Sequence, residues 1–268
     1  MSWWIRTANT RAKQIYLLKS PGWMKKDRID KLLHERGFAD SRTKAQALVL
    51  AGVVLVDERR VEKPSEAFSP EAKIRIKGQT AESRYVSRGG LKLEHALAHF
   101  DIRPDGYVCL DVGSSTGGFT DCLLQHGAAK VICIDSGTNQ LAWKIRVDAR
   151  VEVRENTNAR NLKPADFGCK FDLIVMDVSF ISVTKIIPAL VPLLKDQGKL
   201  IVLIKPQFEV GKGEVGKGGI VREAGKHARV IKEVEAAAES SGLRTVGIAD
   251  SPILGAEGNK EFLALYEK

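Results

Sequence analysis

The sequence predicts an α/β protein: a doubly wound, mostly parallel sheet with a small α+β domain ahead of it. Three observations predict this architecture. From Val108 onward, apolar strand-like runs alternate with helical stretches, which is typical of a parallel sheet covered on both faces. Before residue 85, two short helical patterns are followed by alternating strands. The excess positive charge also belongs to one part of the chain.

That charge is concentrated in the first third of the sequence. The chain holds 42 Lys and Arg against 33 Asp and Glu, a net charge of +9. Residues 1–88 contain 19 basic and 10 acidic side chains, whereas residues 89–268 contain 23 of each. A small basic domain joined to a neutral larger one indicates a polyanion-binding attachment. A basic surface kept for solubility is the alternative.

These patterns predict three segments: a poorly ordered leader at residues 1–23, a small basic domain at 24–84 and the α/β domain at 85–268. No apolar run approaches the roughly 18 residues of a membrane span, and the N-terminus lacks a signal-peptide core. Without a C-x-x-C pair or an H-E-x-x-H motif, we expect no metal site, and we expect the four cysteines to be buried free thiols. We therefore expect a cytoplasmic protein with no membrane partner.

The small basic domain begins with two predicted helices. RIDKLLHERG has apolar residues at helical spacing and ends at Gly37, and DSRTKAQALVLAG begins with the capping residues Asp40 and Ser41 and ends at Gly52. Alternating strands then flank a turn at Asp57 and Glu58, and AKIRIKG adds another strand.

The segments RIDKLL, SRTKAQALVLAGVVLVD and VEKP resemble a small RNA-binding domain that is named after a ribosomal small-subunit protein and occurs in rRNA-modifying enzymes. The resemblance covers about residues 26–84. In that family the second helix and the following loop face RNA, which implies RNA contacts by Arg28, Lys31, Ser41, Arg42, Lys44 and Gln46. Arg42 and Lys44 also lie at a helix N-terminus, where backbone N–H groups favour phosphate. An ordinary solvated surface is the alternative for any single basic residue.

In the α/β domain, strands and helices are predicted in alternation. The predicted strands are YVCLDVG, KVICIDSG, VEVREN, FDLIVMDVS, KLIVLIKP, LRTVGIAD and EFLALYEK. Helices are predicted at TDCLLQHG, which ends at Gly127, and at about residues 183–195 and 226–241. Ligands of such sheets bind beyond the carboxyl ends of the strands, near the point where the strand order reverses.

A glycine-rich turn, CLDVGSSTGGFTD, includes the end of the first of these strands. It lacks the G-x-G-x-x-G spacing of dinucleotide binders and has the form typical of S-adenosylmethionine sites, in which glycines admit the amino-acid part of the cofactor. The carboxylate at the end of the next strand is placed to bind ribose hydroxyls. A Rossmann-like sheet that binds S-adenosylmethionine is therefore predicted, with a structural turn or a nicotinamide site as alternatives. The predicted cofactor residues are Asp111, Gly113, Ser115, Gly117, Gly118 and Asp135.

A second glycine-rich stretch, GKGEVGKGG at residues 211–219, satisfies the pattern G-x-x-x-x-G-K of nucleotide-phosphate loops. Gly218 stands where that motif places the Ser or Thr that binds Mg²⁺. We therefore expect either a mobile basic loop over the active site or a plain connector.

Charged residues near the ends of the sheet could carry methyl transfer. Transfer to a hydroxyl requires a nucleophile in line with the methyl group and a nearby group that takes the proton. The candidates are Lys92, Asp177, Lys205 and Glu261. Two lysines and two carboxylates can meet at one end of such a sheet, but residue patterns alone do not separate these four from surface ion pairs.

The segments YVSRGGLKLEHAL, LDVGSSTGGFTDCLLQHGA, FDLIVMDVSFIS, IKPQFEVG and GNKEF closely resemble the TlyA family of rRNA methyltransferases, also known as hemolysin A, whose catalytic part is FtsJ-like. The resemblance covers nearly everything from about residue 26 onward. It implies a Lys-Asp-Lys-Glu tetrad for ribose 2′-O-methylation at Lys92, Asp177, Lys205 and Glu261. Lys205 would be the base or the closest aid to the hydroxyl, and Asp177 would orient it.

The same resemblance implies that Asn158, in ENTNAR, approaches the adenine of the cofactor. One departure from the family lies beside the predicted ribose site. Thr138 and Asn139 stand where relatives often have an aromatic residue and a glycine. This departure bears on the cofactor contacts that the resemblance implies around Asp135.

The resemblance thus implies an S-adenosylmethionine-dependent 2′-O-methyltransferase of ribosomal RNA, with cytidine as the expected nucleotide and either ribosomal subunit as the partner. A membrane-active hemolysin and a non-catalytic ribosome-assembly factor are the alternatives. The missing signal peptide and apolar span argue against the first, and the intact tetrad argues against the second.

Overall fold

The computed structural model describes residues 26–36, 38–39, 41–76, 84–211 and 213–268. The chain divides into two compact units, Met1–Gln79 and Thr80–Lys268. The predicted leader at residues 1–23 lies outside the described residues. So do Gly37, the predicted end of the first helix, and Asp40, a predicted capping residue of the second.

The first unit is a small α+β fold. Its elements are β1 (Asp27–Arg28), α1 (Ile29–Glu35), α2 (Arg42–Leu50), β2 (Val54–Val56), β3 (Arg59–Arg60), β4 (Ala67–Phe68) and β5 (Ile74–Ile76). β1 pairs with β4, and β2 lies between β3 and β5 in an antiparallel sheet. Both helices pack their apolar residues, including Ile29, Leu33 and Val49, against the strand residues Val54 and Val56.

Two local predictions for this unit are confirmed. The side chain of Ser41 caps α2 by accepting a hydrogen bond from Lys44 N at 3.2 Å. The turn between β2 and β3 places Asp57 and Glu58 at positive φ, 48° and 63°, as the tight turns of hairpins require.

The second unit contains the larger sheet. Its helices and strands are α3 (Gly89–His99), β6 (Val108–Val112), α4 (Gly118–Gln125), β7 (Lys130–Ile134), α5 (Trp143–Arg146), β8 (Val151–Arg154), β9 (Phe171–Met176), α6 (Ile187–Leu190), β10 (Leu194–Ile204), α7 (Pro206–Glu209), α8 (Ala224–Ser240), β11 (Arg244–Asp250) and β12 (Phe262–Glu267). The strand order is β11-β12-β10-β9-β6-β7-β8.

Helices cover both faces of this sheet, so the predicted doubly wound α/β class is confirmed. Leu110 and Val112 of β6 pack with residues of α6 and α8, whereas Cys109 of the same strand packs with residues of α3 and α4. This alternation follows from the period of two along a strand. The apolar runs of the sequence are continuous because the central strands are buried on both faces.

β12 is antiparallel to both of its neighbours, β10 and β11, whereas the other paired strands of this sheet are parallel. The segment 251–261 that joins β11 to β12 contains no α-helix and is shorter than the crossovers that parallel pairs need. The hydrophobic pattern predicted the strand, and the length of the connection determines its direction.

The prediction of one helix over residues 183–195 is wrong. That segment forms a 3₁₀ turn at Val183–Lys185, then α6, then a second 3₁₀ turn at Val191–Leu193. Pro188 and Pro192 account for the interruption, because proline cannot donate an interior helical hydrogen bond.

The sequence reading also missed α3 and misjudged one cysteine. α3 begins with Gly89 and Gly90, which have low helix propensity. A Cβ on Gly90 would lie 2.2 Å from Cγ of Tyr85, so close packing requires that glycine. Cysteines 109, 122 and 133 are buried, but Cys169 is exposed in the bend before β9.

Candidate active site

The candidate site lies where the strand order reverses. β6 continues into β7 and β8 on one side, while β9 and β10 lie on the other side. Loops that follow β6 and β9 therefore meet at the carboxyl edge of the sheet, where ligands of such folds bind. Asp177 N donates a hydrogen bond to Val112 O at 2.9 Å, and Gly113 N donates one to Ile134 O at 2.9 Å.

The glycines after β6 are required by the protein's own packing. A Cβ on Gly113, where φ is 83°, would lie 2.4 Å from the carbonyl oxygen of Asp177. A Cβ on Gly118 would lie 2.2 Å from Ser87 Oγ, and Gly117 has a φ of 94°. The sequence prediction attributed these glycines to a cofactor alone. The structure shows that they also let the turn after β6 approach the segments at Asp177 and Ser87 closely.

Asp111 is a fully buried carboxyl at the end of β6. Its Oδ2 accepts a hydrogen bond from Thr120 Oγ1 of α4 at 2.6 Å, and its buried Oδ1 has no hydrogen-bond partner among the residues that the structure describes. Burial raises the pKa of Asp111 to about 7; the Thr120 hydrogen bond opposes this effect and the charge of Asp177 adds to it. This carboxyl therefore has capacity for a further donor or cation.

Asp135 forms hydrogen bonds with the glycine-rich turn and also lines a cavity beside this turn. Its Oδ2 accepts a hydrogen bond from Ser115 N at 2.8 Å, and its Oδ1 accepts one from Gly137 N at 2.7 Å. At the departure from the family, Asn139 adopts a φ of 55°, and its N–H donates to Glu155 at 2.9 Å. Asparagine is among the few residues with a side chain that tolerate this conformation, so Asn139 can stand where the resemblance led us to expect glycine.

The site consists of two adjoining chambers that share Gly113, Ser115, Asp177 and Ser179. The lysine chamber, of about 230 Å³, also contains Lys92 and Lys205 in its wall. The Asp135 chamber, of about 480 Å³, also contains Asp135 and Asn158 in its wall. Lys92 and Lys205, which are predicted catalytic residues, thus line only the lysine chamber, whereas the predicted cofactor residues Asp135 and Asn158 line only the Asp135 chamber.

The four predicted catalytic side chains form two ion pairs. Lys92 Nζ lies 2.5 Å from Glu261 Oε2, and the side chains are 11% and 2% exposed. Lys205 Nζ lies 2.6 Å from Asp177 Oδ1. Each lysine is therefore held by a carboxylate from a different part of the chain, and burial distinguishes the Lys92–Glu261 pair from the exposed ion pairs of the surface.

The contact between Lys205 and Asp177 pairs their charges without aligned hydrogen-bond geometry. Lys205 Nζ donates its hydrogen bond to Ser179 Oγ at 2.9 Å. Asp177 Oδ1 is buried and accepts no hydrogen bond among the residues that the structure describes. An acceptor oxygen beside an ammonium group is suited to hold a hydroxyl, whose hydrogen it can accept.

The sequence reading missed Phe180. Its side chain is 92% exposed, it lines the Asp135 chamber, and its backbone φ of 66° is unusual for a large residue. Its ring centroid lies 5.2 Å from that of Phe208. The sequence shows only an apolar residue after a strand, so the backbone conformation and exposure were needed to identify it.

The stretch at residues 211–219 does not form a phosphate loop where it is described. Lys217–Gly219 is a 3₁₀ turn, and the next helix, α8, begins only at Ala224. Asn259 holds the end of the stretch, because its Oδ1 accepts from Val221 N at 3.0 Å and its Nδ2 donates to Gly219 O at 2.9 Å.

In the first unit, three of the six predicted RNA-binding side chains converge on Asp30, which sequence reasoning missed. Arg28, Arg42 and Gln46 all donate hydrogen bonds to this carboxylate. The hydrogen bonds, chiefly the one from Arg28, hold the pKa of Asp30 well below its usual range despite burial. The only hint in the sequence is an acidic residue amid basic ones.

The other three predicted RNA-binding residues lie along the same two helices. Lys31 Nζ pairs with Asp27 at 3.0 Å, Ser41 caps α2, and Lys44 is exposed in the first turn of α2. The helix N-terminus that was expected to favour phosphate thus has its Lys44 N–H bound by Ser41 Oγ.

The remaining expectations concern membrane spans and metal sites, and both are considered for the described part of the chain. None of its helices is long and apolar enough to cross a membrane. Within that same part, His, Cys, Asp and Glu side chains form no group of three or more that could hold a metal ion.

Comparison with known proteins identifies the family of each unit. Residues 85–268 match the FtsJ-like methyltransferase family, and residues 27–74 match the S4 domain. The 16S/23S rRNA (cytidine-2′-O)-methyltransferase TlyA of Mycobacterium tuberculosis is 45% identical over 88% of this chain and 87% of its own length. Hemolysin A of Brachyspira hyodysenteriae is 42% identical over 89% of this chain and 99% of its own length.

A solved structure agrees with the sequence relatives. A protein from Streptococcus thermophilus is 44% identical, covers 91% of this chain and 89% of its own, and superposes with a TM-score of 0.69. The expected resemblance is therefore confirmed: the chain belongs to the FtsJ-like methyltransferases and, with its S4 domain, to the TlyA family of rRNA methyltransferases.

Proposed function

We propose that this protein is an S-adenosylmethionine-dependent methyltransferase that modifies the ribose 2′-hydroxyl of a cytidine in ribosomal RNA. One observation carries the proposal: two lysine–carboxylate pairs and a glycine-rich turn meet at adjoining chambers on the carboxyl edge of the sheet. The family and the activity named for the TlyA relative support the same reaction.

The residues of the two chambers fit the cofactor. Asp135 and Asn158 line the larger chamber and offer oxygen atoms to a ribose and an adenine. Asp111 is fully buried and lines neither chamber, so its part would be to hold the start of α4, beside the glycine-rich turn, through Thr120. When bound, the cofactor supplies a methyl group on a positively charged sulfur. Asp111, Gly113, Ser115, Gly117, Gly118, Asp135 and Asn158 would form its site.

In the lysine chamber, Asp177 and Lys205 would hold the substrate hydroxyl. Asp177 Oδ1 accepts the hydrogen of the 2′-hydroxyl, and Lys205 Nζ, 2.6 Å away, stabilises the oxygen as it loses that proton. The O–H bond would break and an O–CH₃ bond would form as the bond between the methyl group and the sulfur of the donor breaks, which leaves a neutral thioether. The proton would leave through the Asp177–Lys205 pair. Lys92 and Glu261 position the ribose from the other side of the chamber.

The exposed ring of Phe180 lies at the entrance of the Asp135 chamber, beside the shared residues Asp177 and Ser179. A flat apolar ring in this position can stack on the base of the target nucleotide once that base leaves its helix. The S4 domain would bind the surrounding rRNA, and an rRNA substrate implies a cytoplasmic location.

The test is transfer of labelled methyl groups from S-adenosylmethionine to unmodified 30S and 50S subunits. We expect rRNA labelling that resists alkaline cleavage at one nucleotide, and we expect Lys205→Ala to reduce it by about a hundredfold or more. The affinity for S-adenosylmethionine, measured in the same preparation, should be lowered by Asp111→Ala and unchanged by Lys205→Ala.

A matched control lies on the same pair of strands. Lys195 Nζ pairs with Asp172 at 2.7 Å, near the opposite end of β10 from Lys205. Lys195→Ala removes a comparable ion pair without reaching either chamber and should leave methyl transfer unchanged. Cofactor binding without labelling of either subunit would contradict the proposed activity and favour the assembly-factor alternative.

A further inference from the structure

Asp30 is an acidic residue buried beneath a basic surface. It is the second residue of α1 and its side chain is 0% exposed. Oδ1 accepts a hydrogen bond from Arg28 Nε at 3.1 Å, and Oδ2 accepts from Arg28 Nη2 at 2.9 Å. The same Oδ2 also accepts from Arg42 Nη2 at 3.1 Å and from Gln46 Nε2 at 2.9 Å.

This arrangement exceeds what neutralising a carboxylate requires. A single bidentate arginine, such as Arg28, already matches both carboxylate oxygens and its charge. The second guanidinium, from Arg42 on α2, leaves the cluster with one net positive charge. Because both Nη2 atoms contact one oxygen, they lie within about 6 Å of each other, where two like charges repel unless a carboxylate lies between them.

Both arginines retain donors that face solvent. Arg28 commits two of its five N–H groups to Asp30 and Arg42 commits one. Their side chains are 50% and 53% exposed. Two adjacent guanidinium groups with outward N–H donors are suited to bind a single phosphate group, since each presents a rigid fork of donors.

We propose that Asp30 is a positioning residue for RNA binding: it holds Arg28 and Arg42 side by side so that they bind one phosphate of the RNA backbone. The proposal rests on the proposed function, which supplies RNA as the ligand. It assigns to a buried acid a role in binding a polyanion, which charge alone would not predict.

Charge and positioning predict opposite effects when this carboxylate is removed. If only the summed charge mattered, Asp30→Asn would strengthen RNA binding, because a negative charge next to two arginines disappears. If positioning matters, the same substitution weakens binding, because the two guanidinium groups repel each other and separate. A purely structural link between α1 and α2 predicts loss of stability without a selective effect on binding.

The experiment measures the affinity of the full-length protein for unmodified 30S and 50S subunits, with Asp27→Asn as the matched control. Asp27 is also in the first unit and pairs with a predicted RNA-binding residue, Lys31. We expect Asp30→Asn to weaken subunit binding by about tenfold and Asp27→Asn to leave it equal or tighter. Binding of Asp30→Asn at or above wild-type affinity would overturn the proposal.

Kinetics provide a readout that a structural role would not change. At saturating subunit concentration kcat should be unaffected by Asp30→Asn, while KM rises with the loss of affinity. S-adenosylmethionine affinity should stay at the wild-type value. If kcat and cofactor affinity both fall while KM rises, the substitution acts through folding and the positioning role is rejected.

A second variant covers the case in which Asp30→Asn does not fold. Arg42→Lys keeps the charge and the buried acid, but a lysine cannot donate to Asp30 and to a phosphate through one rigid fork. We expect a loss of subunit affinity of about fivefold or more, and a loss below twofold would reject the proposal. Wild-type protein that binds neither subunit would instead refute the proposed function.

Discussion

At the scale of single residues, burial of Asp111 gives the stability of the protein a specific pH dependence. Its pKa is raised to about 7 by burial, against about 4 in an unfolded chain. The folded state therefore binds this proton more strongly. Its contribution to stability is fully present below about pH 4 and is lost as pH rises to 7, by a few kcal/mol in all.

The measurement is the free energy of unfolding from pH 4 to pH 7 in wild type and Asp111→Asn. We expect the variant to lose less stability over this range than wild type does. Asp172→Asn is the control: although burial opposes it, hydrogen bonds from Lys195 and from Val108 N lower the pKa of Asp172. Because this lowered pKa lies below that of the unfolded chain, about 4, most of the Asp172 effect falls below pH 4, and its removal should leave the stability change between pH 4 and pH 7 close to that of wild type. Parallel curves for wild type and Asp111→Asn would exclude a raised pKa.

Phe180 combines an exposed ring with a strained backbone, and the two can be separated. Phe180→Gly removes the ring and relieves the cost of a positive φ, which is about 1–2 kcal/mol for a residue with a side chain. Because glycine also loses more entropy on folding, we expect stability to stay equal or rise by about 1 kcal/mol.

Methyl transfer by the same variant should fall by about tenfold, the size of one lost stacking contact. Thermal unfolding and methyl transfer to ribosomal subunits are the two measurements. A variant that is both less stable and fully active would show that the ring packs on the protein itself and does not serve the substrate.

At the scale of elements, Gly255 in the loop before β12 fixes the position of a proposed catalytic side chain. A Cβ there would lie 2.0 Å from Oε1 of Glu261, whose side chain is buried against Lys92. We expect Gly255→Ala to displace Glu261, to lower stability by about 1–3 kcal/mol and to reduce methyl transfer.

Gly168→Ala, in the bend before β9, is the control for this substitution, because a Cβ on Gly168 meets nothing within 4 Å. It should leave both unfolding and methyl transfer unchanged. If Gly255→Ala behaves like Gly168→Ala in both assays, the position of Glu261 does not matter to the reaction.

Elements differ in how well the sequence predicts them. β6, β7, β9 and β10 were predictable because strands buried on both faces give continuous apolar runs. Helix boundaries were harder where glycine or proline lowers local propensity, as at Gly89 and Pro188. In those places tertiary packing, not local preference, determines the conformation.

The residues of the candidate site also differ in how well the sequence predicts them. Strand ends and the glycine-rich turn predicted where the site lies, and the resemblance selected the tetrad. No local pattern could reveal that Lys92 reaches Glu261 across 169 positions of sequence. Asp30 and Phe180 were missed because their importance depends on what surrounds them, namely converging arginines in one case and open solvent in the other.

At the scale of the whole molecule, charge and chemistry belong to different parts of the chain. We propose residues 24–84 as the RNA-binding domain and residues 85–268 as the methyltransferase domain. The chain divides into its two compact units after residue 79, and the two family matches cover residues 27–74 and 85–268. The excess of nine positive charges lies within the first 88 residues.

This separation predicts different salt dependence for the two ligands. Four basic residues are proposed to contact RNA, so the logarithm of subunit affinity should fall with the logarithm of salt concentration with a slope of about −3 to −4. The affinity for S-adenosylmethionine should change little over the same range. Equal slopes for both ligands would contradict a dedicated RNA-binding domain.

The position of β12 has a consequence for how the enzyme opens. β11 pairs only with β12 in the described sheet, so release of β12 from β10 detaches two strands together and carries Glu261 away from Lys92. The five parallel strands remain paired; β6 contains Asp111, and Asp135 and Asp177 directly follow β7 and β9. The slowly exchanging amides of β11 and β12 should therefore exchange at similar rates, as one cooperative unit. Such partial opening would abolish methyl transfer but would leave the carboxyl edge of the sheet, where the cofactor is proposed to bind, folded.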